Sequence, residues 1–571
     1  MTSPHPRQLI LLLFFIITSP ILRGDDPANF SLVRLVNADA GLVLRLQDFK
    51  HNAPLLLDSH WLNAFRNSPV HAGLCASGDV KKIINAGKHI EEVTGEPLLA
   101  YLNTIFGEDV IVALYPDDER SPYGVLYTAA ESELALQQSI ARWKRLDPQL
   151  SVTYKHLNTE YTARRPQNDR NSDNGRLFYC SLGRYFILSD REQAIRSAIE
   201  LYATATSTTE QPDSTKSLAD TKGYSLAREK LPADFWISVY FTPHHWKRAL
   251  GHLRDKNADE PEVKVLNHIL MHSQAMMLGL RFQEGVFGQL LIKPDDSALA
   301  FLTPFSSADN SPTPSRPTPL PCIAVAQVRL PGGLTAPLLS ALLERKVPNW
   351  NHLREVLAGI FLGHDLLAEI LPRIGPDWQL SLHPRTNTEA GHHLPCELIA
   401  SVNYESGDLD SSSEKTSFRT AVANGIHSLL HLIALGESDK RHPVEVARTD
   451  ADDTTTWKIS EHSKNVAALS LDDASLRLAS STNLIANPPQ TLLQDSPLYR
   501  ESLSKHSPDS PLSLWFHLPS LVEVLAAEKD PDQEFLDALR LFDVLWFTLR
   551  IEDGILRADA AAQKLVQPSN P

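Results

Sequence analysis

The chain of 571 residues contains little cysteine, and its spacing excludes the common metal-binding patterns. Cys75, Cys180, Cys322 and Cys396 show neither Cys-x-x-Cys nor zinc-type spacing, so no metal and no cofactor are predicted. Cys322 and Cys396 each follow a proline and begin an apolar run, which makes a disulfide between them one interpretation. Buried thiols that stay reduced are the other.

Basic charge is also in short supply. Lys and Arg number 54 against 69 Asp and Glu, and the formal net charge is −15. An acidic surface repels phosphate backbones, and the sequence contains no run of Lys and Arg, so nucleic acid is excluded as the expected partner. With 42% hydrophobic and 22% charged residues, the chain has the composition of a packed globular protein. Its length predicts about two to four domains.

Long hydrophobic runs are absent except for a short one near the N-terminus. Arg7 precedes the apolar residues 9–18, which Ser19 and Pro20 then interrupt. The run has about half the length that a spanning helix needs, which predicts a secretory signal peptide over residues 1–24. An uncleaved N-terminal anchor is the alternative. We expect a mature chain without a transmembrane segment, located outside the cytoplasm in the periplasm or secreted.

Catalytic motifs are missing as well. The sequence contains no Gly-x-Gly-x-x-Gly, no phosphate-binding loop, no His-Glu-x-x-His and no Gly-x-Ser-x-Gly. Paired carboxylates of glycosidases leave little trace in a single sequence, so an enzyme is disfavoured rather than excluded. No catalytic, cofactor-binding or metal-binding residue is predicted.

What the sequence does contain is an internal repeat. Residues 106–116 (FGEDVIVALYP) align without a gap with residues 374–384 (IGPDWQLSLHP), 268 residues later. Residues 280–286 (LRFQEGV) match residues 549–555 (LRIEDGI) at an offset of 269. Four weaker matches follow the same order, and together the six predict a duplicated unit. The weaker pairs are 42–46 with 323–328, 123–129 with 394–402, 184–189 with 476–481, and 237–241 with 514–518.

The repeated elements predict an α+β fold. Two related lobes are expected, each a mostly antiparallel sheet with helices packed on one face, because Glu/Asp-Gly steps between apolar runs indicate hairpins. Pro243 and Pro519 each follow a strand-like run and are expected to begin a helix. The predicted lobes cover residues 25–302 and 322–566, joined by a Pro- and Ser-rich linker at 303–321 and followed by a tail at 567–571.

Two adjacent histidine pairs invite a metal-site hypothesis. They are His244-His245, at the expected helix start, and His392-His393, in a Gly-led loop. Imidazoles bind zinc or copper well, but the positions matching the first pair in the second lobe are Ser520 and Leu521. Surface histidines are therefore the favoured interpretation.

Other repeated residues have structural explanations. Asp109 and Asp377 occupy one position of a Gly-x-Asp turn, where capping of local backbone donors accounts for the residue type. Arg281 and Arg550 precede acidic residues by about three positions, which predicts cross-strand ion pairs. Four aromatic residues alternate with apolar neighbours and are predicted to pack in the core. These are Trp236, Trp515, Trp546 and Phe547.

The chain resembles a family of uncharacterised exported bacterial proteins of the domain-of-unknown-function type. The resemblance rests on the N-terminal signal, the opening strand at 40–46, the turn at 106–109, the segment at 371–378 and the strand end at 187–189. It implies an extracytoplasmic α+β protein with a duplicated unit, and it implies no activity and no site residues.

Two functions from different classes remain open. The favoured hypothesis is a non-enzymatic binding or scaffold protein, whose two lobes present a cleft or a shared face to a protein, a glycan or an apolar ligand. The alternative is a hydrolase of cell-envelope or other polymers that uses carboxylates or a histidine-bound metal.

Overall fold

The structure is a computed structural model in which most of the chain between residues 31 and 564 is described. The predicted signal peptide, His392-His393 and most of the predicted linker lie outside the described residues. The described ranges are 31–57, 59–69, 71–72, 88, 91–92, 95, 103–104, 106–117, 122–146, 150–165, 176–206, 216–246, 269–282, 285–299, 318–329, 350–361, 364, 369–370, 374–385, 396–404, 412–437, 443–451, 454–461, 464–472, 475–481, 483–486, 491–504, 510–527 and 531–564.

The described part of the first half consists of strands with helices inserted between them. The strands are β1 (Leu42–Gln47), β2 (Asp109–Tyr115), β3 (Tyr123–Ala129), β4 (Leu150–His156), β5 (Thr159–Arg165), β6 (Leu177–Leu182), β7 (Tyr185–Ser189), β8 (Ile237–Phe241), β9 (Ser273–Phe282) and β10 (Gly285–Pro294). The α-helices are α1 (Phe49–Leu57), α2 (His60–Arg66), α3 (Glu133–Leu146), α4 (Glu192–Thr206) and α5 (Lys222–Lys230), with short 3-10 helices at Leu32–Leu35, Leu218–Asp220 and Pro243–Trp246.

The second half follows the same plan. Its strands are β11 (Ala324–Arg329), β12 (Ile374–Pro384), β13 (Cys396–Tyr404), β14 (Val444–Ala451), β15 (Thr454–Glu461), β16 (Lys464–Leu471), β17 (Ser475–Ala479), β18 (Leu512–His517), β19 (Val544–Glu552) and β20 (Ile555–Gln563). Its helices are α6 (Trp350–Ile360), α7 (Ser412–Glu437), α8 (Asn483–Ala486), α9 (Pro497–Ser504), α10 (Leu518–Ala526) and α11 (Gln533–Leu539), with a 3-10 helix at Leu493–Asp495.

Strand pairing is antiparallel and occurs in the same order in both halves. The first half pairs in the order β10-β9-β8-β1-β2-β3-β7-β6-β5-β4. The second pairs in the order β19-β18-β11-β12-β13-β17-β16-β15-β14, with β20 pairing with β19. The prediction of an α+β protein with mostly antiparallel sheets is confirmed.

The described residues fall into two compact units. One lies within residues 1–300 together with Asp553–Asp559, and the other within Phe301–Glu552 together with Ala560–Pro571. Thr318, at the end of the predicted linker, is buried, and its hydroxyl accepts a hydrogen bond from Gln379 of β12 at 2.8 Å. That the two halves are related lobes with the boundaries given above stays a prediction, to which the repeated pairing adds support.

The strand registers test the sequence repeat residue by residue. The 268-residue offset makes Ala113 equivalent to Ser381, and since Val43 lies opposite Ala113 and Val325 lies opposite Ser381, Val43 is equivalent to Val325. Following β8, β9, β18 and β19 in the same way gives the 269-residue offset between residues 280 and 549. The weaker matches are displaced by up to three residues. The registers place Tyr123 at the position of Glu397 and not of Leu394, and Ser189 at the position of Ala479 and not of Ser481.

The segment that precedes α5 and α9 also repeats, which the sequence comparison missed. The Leu218 amide donates to the Val36 carbonyl at 2.8 Å, and the Leu493 amide donates to the Thr318 carbonyl at the same distance. Just beyond, an aromatic pair meets edge to face in each half. The pairs are Tyr224 with Tyr240, at 5.2 Å between ring centroids, and Tyr499 with Trp515, at 5.4 Å.

Each half has its own hydrophobic core. In the first half, apolar residues of β1, β2, β3 and β7 pack against α4 and α5. In the second, Trp457 of β15 and Leu471 of β16 pack with Phe418 and Val422 of α7. Trp236, Trp515 and Trp546 are buried, and Phe547 is half-buried, so their predicted place in the core is confirmed.

Gly107 occupies a position that no other residue fits well. Its φ is +42°, and a Cβ there would lie 2.4 Å from the Ala129 carbonyl oxygen. We expect Gly107→Ala to lower the free energy of unfolding by about 1–3 kcal/mol, because both the strain and the backbone contact are unavoidable. Gly359 of α6 has open space around it, so Gly359→Ala is the matched control and should be neutral or stabilising in the same urea titration. Equal stability of Gly107→Ala and the wild type would contradict this account.

Candidate functional site

The first histidine pair lies within the described residues, and its two rings contact each other. His244 and His245 lie in the 3-10 helix at Pro243–Trp246, with ring centroids 4.1 Å apart. The longer helix that was expected after Pro243 falls outside the described residues beyond Trp246. Within the described ranges, no three His, Cys, Asp or Glu side chains come together as a metal-binding group.

One cluster has the composition of a catalytic triad without its geometry. His272 Nδ1 lies 3.0 Å from Asp295, and Ser297 Oγ lies 3.4 Å from the same nitrogen. The Ser297 hydroxyl also donates to Asp295 at 2.6 Å. A triad places serine on the ring nitrogen that faces away from the aspartate. The Ser297 hydroxyl and the Ala298 amide lower the pKa of Asp295 to about 2, so the cluster caps the turn that starts there.

The repeated aspartates form ion pairs. Asp109 of β2 accepts a hydrogen bond from Arg45 of β1 at 2.5 Å, and Asp377 of β12 accepts one from Arg329 of β11 at 2.9 Å. These contacts give both aspartates an arginine partner, and the backbone capping that the sequence predicted stays a prediction. The aspartates are equivalent, whereas Arg329 corresponds to Gln47, two residues along the same face from Arg45.

Burial and charge act together on the first of these pairs. The Arg45 and Asp109 side chains are 13% and 18% exposed. Burial lowers the pKa of Arg45, but Asp109 and the nearby Tyr224 raise it, and the net shift is upward. Arg45 is therefore a charged part of the sheet and not a proton donor.

Arg281 and Arg550 have partners other than the predicted ones. Arg281 donates to Asp234, and its guanidinium lies over the Phe287 ring at 4.4 Å from the centroid. Arg550 Nε lies 3.5 Å from Glu552, two residues later on its own strand. Arg281 thus makes an ion pair and a ring contact, and Arg550 makes an ion pair along its own strand.

The cysteines that the structure describes are free thiols. Cys322 is buried, and its Sγ contacts the Ala324 carbonyl oxygen at 3.2 Å. Burial raises the pKa of Cys322 and of Cys180 to about 12, which makes both thiols unreactive. The Cys322–Cys396 disulfide does not form, and Cys75 lies outside the described residues.

A row of polar side chains crosses the sheet of the second half. Ser513, Gln327, Gln379 and Ser401 lie opposite one another on β18, β11, β12 and β13, and we call them the polar row. Ser513 donates to Gln327 at 3.3 Å, Gln327 donates to Gln379 at 3.3 Å, and Gln379 donates to Thr318. Hydroxyl and amide groups in such a chain can hydrogen-bond a polar ligand, and they carry no acid–base chemistry.

The same row has a different character in the first half. Its equivalent positions are Ser238, Arg45, Ile111 and Tyr127. Ile111 and Tyr127 are fully buried in the core. The two halves thus keep the strand pairing and change the side chains on it. The sequence alone does not show this difference, because the four residues are far apart in the chain and become neighbours only through strand pairing.

His383 extends the polar side of β12 and is expected to make stability depend on pH. It contacts the Pro321 carbonyl and the Ser381 hydroxyl, each at 2.9 Å. Burial lowers the pKa of His383 below its usual 6.5, although the Pro321 contact opposes this shift. The neutral ring is therefore favoured in the folded state.

The sign of the pH effect follows from that shift. Stability from the neutral His383 ring is fully present above pH 6.5 and is lost as pH falls towards the folded pKa, with a slope of at most about 1.4 kcal/mol per pH unit. His383→Gln should flatten this part of the urea-denaturation profile between pH 7 and 5. His51→Gln, at an exposed position of α1, is the control, and a profile unchanged by His383→Gln would contradict the assignment.

The C-terminal end of α7 exposes a group of large apolar side chains. Leu432, Ile433 and Leu435 are 52%, 53% and 74% exposed. The apolar run at 429–435 is visible in the sequence, but a run of that length is equally typical of a buried helix end. The rest of α7 packs on β14 and α6. We call Leu432, Ile433 and Leu435 the α7 apolar end.

Comparisons with known proteins identify no family. No protein-family model matches the chain, and no curated protein matches it. Two solved structures, crystal forms III and IV of TP0453, show 13% identity and a TM-score of 0.24. The matches cover 47% and 46% of this chain and 82% and 81% of the other. At that TM-score the similarity supports no inference. None of the helices in the described ranges combines the length and hydropathy that membrane crossing requires.

Proposed function

We propose that this protein is an exported binding or scaffold protein that has no catalytic activity of its own and engages a partner through the α7 apolar end. The observation that carries the proposal is the exposure of three neighbouring large apolar side chains on one helix. Contiguous exposed apolar groups cost free energy in water and mark interaction surfaces in proteins.

The equivalent helix of the first half supports this assignment. α3 also connects the third and fourth strands of its half, but it has 14 residues where α7 has 26. Among its large apolar side chains whose burial is described, Leu136 and Ile140 are buried and Leu134 is 68% exposed. A single exposed leucine is ordinary, whereas the α7 apolar end places three exposed large apolar side chains within four residues.

The polar row supports the binding class. The halves keep one pattern of strand pairing while their side chains differ from apolar to hydroxyl- and amide-bearing at equivalent positions. A retained fold whose side chains have diverged can serve a different function in each copy, because function depends on the site and not on the fold. Membership of the exported family that the sequence resembles, and a location outside the cytoplasm, belong to the same proposal.

The proposal is tested by a pair of charge substitutions. Ile433→Asp together with Leu435→Asp should abolish copurification of a partner, as seen by native mass spectrometry after gentle extraction from the source cells. Leu134→Asp is the matched control, because it places the same charge on the equivalent helix. Failure of the wild type to retain any protein, glycan or lipid, or retention by the double variant, would show that the α7 apolar end is not the binding surface.

A further inference from the structure

Two histidines of α7 lie one helical turn apart. His427 and His431 differ by four positions, a spacing that places both side chains on the same face of a helix. Their ring centroids are 4.5 Å apart, and the ring planes meet at 88°. Imidazole nitrogens are good ligands for divalent transition metals. Two of them on consecutive turns of one helix are therefore placed to bind a single ion together.

The ring separation agrees with the geometry of a shared metal ion. An ion held at about 2.0–2.1 Å by one nitrogen of each ring lies about 3.2 Å from each ring centroid. A right angle at the ion then places the centroids about 4.5 Å apart, and a tetrahedral angle places them about 5.2 Å apart. The observed 4.5 Å matches the right angle, which is typical of square-planar and tetragonal copper(II) and nickel(II) sites and not of tetrahedral zinc.

The nitrogens of the two rings are available to an ion. Within the described part of the chain, no hydrogen bond or ion pair reaches His427 or His431, and His427 Nδ1 is buried without a partner. Buried polar atoms in proteins normally have one. A metal ion would supply the partner that the His427 ring lacks, and the exposed His431 ring can turn towards that ion.

Charged groups of β14 lie close to the pair. Burial lowers the pKa of His427, and His431 and Arg448 lower it further. Asp450 opposes this shift. The neutral imidazole, which is the form that binds metal ions, is therefore favoured. Arg448 donates to Asp450 at 3.0 Å and to Asn424 at 2.7 Å, so its positive charge already has a carboxylate beside it.

Other parts of the chain lack this arrangement. α3, the equivalent helix of the first half, contains no histidine between Glu133 and Leu146. His244 and His245 are adjacent in a 3-10 helix, and their ring centroids are 4.1 Å apart. That separation is shorter than the roughly 4.5 Å that a right angle at a metal ion requires. The adjacent pair therefore serves as an internal control for the pair on α7.

We propose that His427 and His431 bind one divalent transition-metal ion of the copper(II) class, with water in its remaining coordination positions. The ion links two consecutive turns of α7 through the two rings. Permanent structural sites usually have four protein ligands, so this site binds its ion exchangeably. The inference is independent of partner binding at the α7 apolar end, because ion binding needs the protein alone.

Calorimetric titration of the full chain with copper(II), in glycine as a competing ligand, tests the site. His427→Ala and His431→Ala should each weaken binding by about tenfold or more, because one imidazole alone loses the advantage of two linked ligands. The double variant His244→Ala with His245→Ala should bind as the wild type does. Circular dichroism checks the fold of each variant, and the exposed position of His431 makes its variant safe where His427→Ala unfolds.

Electron paramagnetic resonance identifies the ligands directly. With one copper(II) ion per chain, the wild type should show coupling to two imidazole nitrogens, and His431→Ala should show coupling to one. A wild type that binds no copper(II), a His431→Ala variant that binds it as tightly as the wild type, or loss of the site in the variant of His244 and His245 overturns the proposal.

Discussion

Replacing Trp457 with alanine is expected to lower the free energy of unfolding by about 3–5 kcal/mol, since loss of a fully buried tryptophan leaves a large cavity. Trp457 is 0% exposed on β15 and packs with Phe418 of α7 and Leu471 of β16. The Arg448 guanidinium lies 6.0 Å from the centre of its ring. The side chain therefore joins the strands of the second half to the helix that carries the α7 apolar end.

Urea denaturation followed by circular dichroism measures this effect. Leu478→Ala is the matched control, because Leu478 is 41% exposed on β17 of the same sheet and should change stability by roughly 0.5 kcal/mol or less. A loss of less than 1 kcal/mol for Trp457→Ala would contradict the position of this residue at the centre of the second core.

Replacing Asp109 with alanine is expected to cost about 3 kcal/mol, because it leaves the Arg45 guanidinium largely buried without its carboxylate. Asp377→Ala should cost a similar amount, since Arg329 and Asp377 are 14% and 22% exposed. The repeat thus predicts that the two substitutions, at equivalent positions with different neighbouring sequences, lower the free energy of unfolding by similar amounts.

The control for both variants is an exposed ion pair. Asp495 and Arg500 are about 60% exposed and 2.9 Å apart, so Asp495→Ala should cost 1 kcal/mol or less. If Asp109→Ala and Asp495→Ala lower the free energy of unfolding equally in the same urea titration, the Arg45–Asp109 ion pair stabilises the sheet no more than an exposed ion pair does. If only one of the two repeated aspartates matters, the halves do not use the pair in the same way.

The strongest sequence matches predicted the strand framework correctly. Residues 106–116 contain a glycine, an aspartate and a proline that fix their alignment, and residues 280–286 contain an arginine, an acidic residue and a glycine that do the same. The registers reproduce their offsets. The matches for β7 and β8 were displaced by two residues, because short apolar runs have a period of two and offer no anchor against such a slip.

Side-chain partners could not be predicted in the same way. The aspartates of the repeat were identified from the sequence. Their arginine partners were not, because Arg45 and Arg329 lie two residues apart when the strands are aligned and so do not match each other. The polar row brings together four strands that lie far apart in the sequence. The exposure of the α7 apolar end depends on which turn of a long helix extends beyond its neighbours, and apolar residue types alone do not contain that information.

The central claim is that the chain repeats one order of strand pairing, and amide hydrogen exchange of the intact protein tests it most directly. Peptides from β1 and β2, and those from β11 and β12, should exchange slowly, because these strands have a partner on each side. Peptides from β14, whose register within the described residues is with β15, should exchange faster. Protection of β1 and β2 combined with rapid exchange of β11 and β12 would contradict the repeated framework.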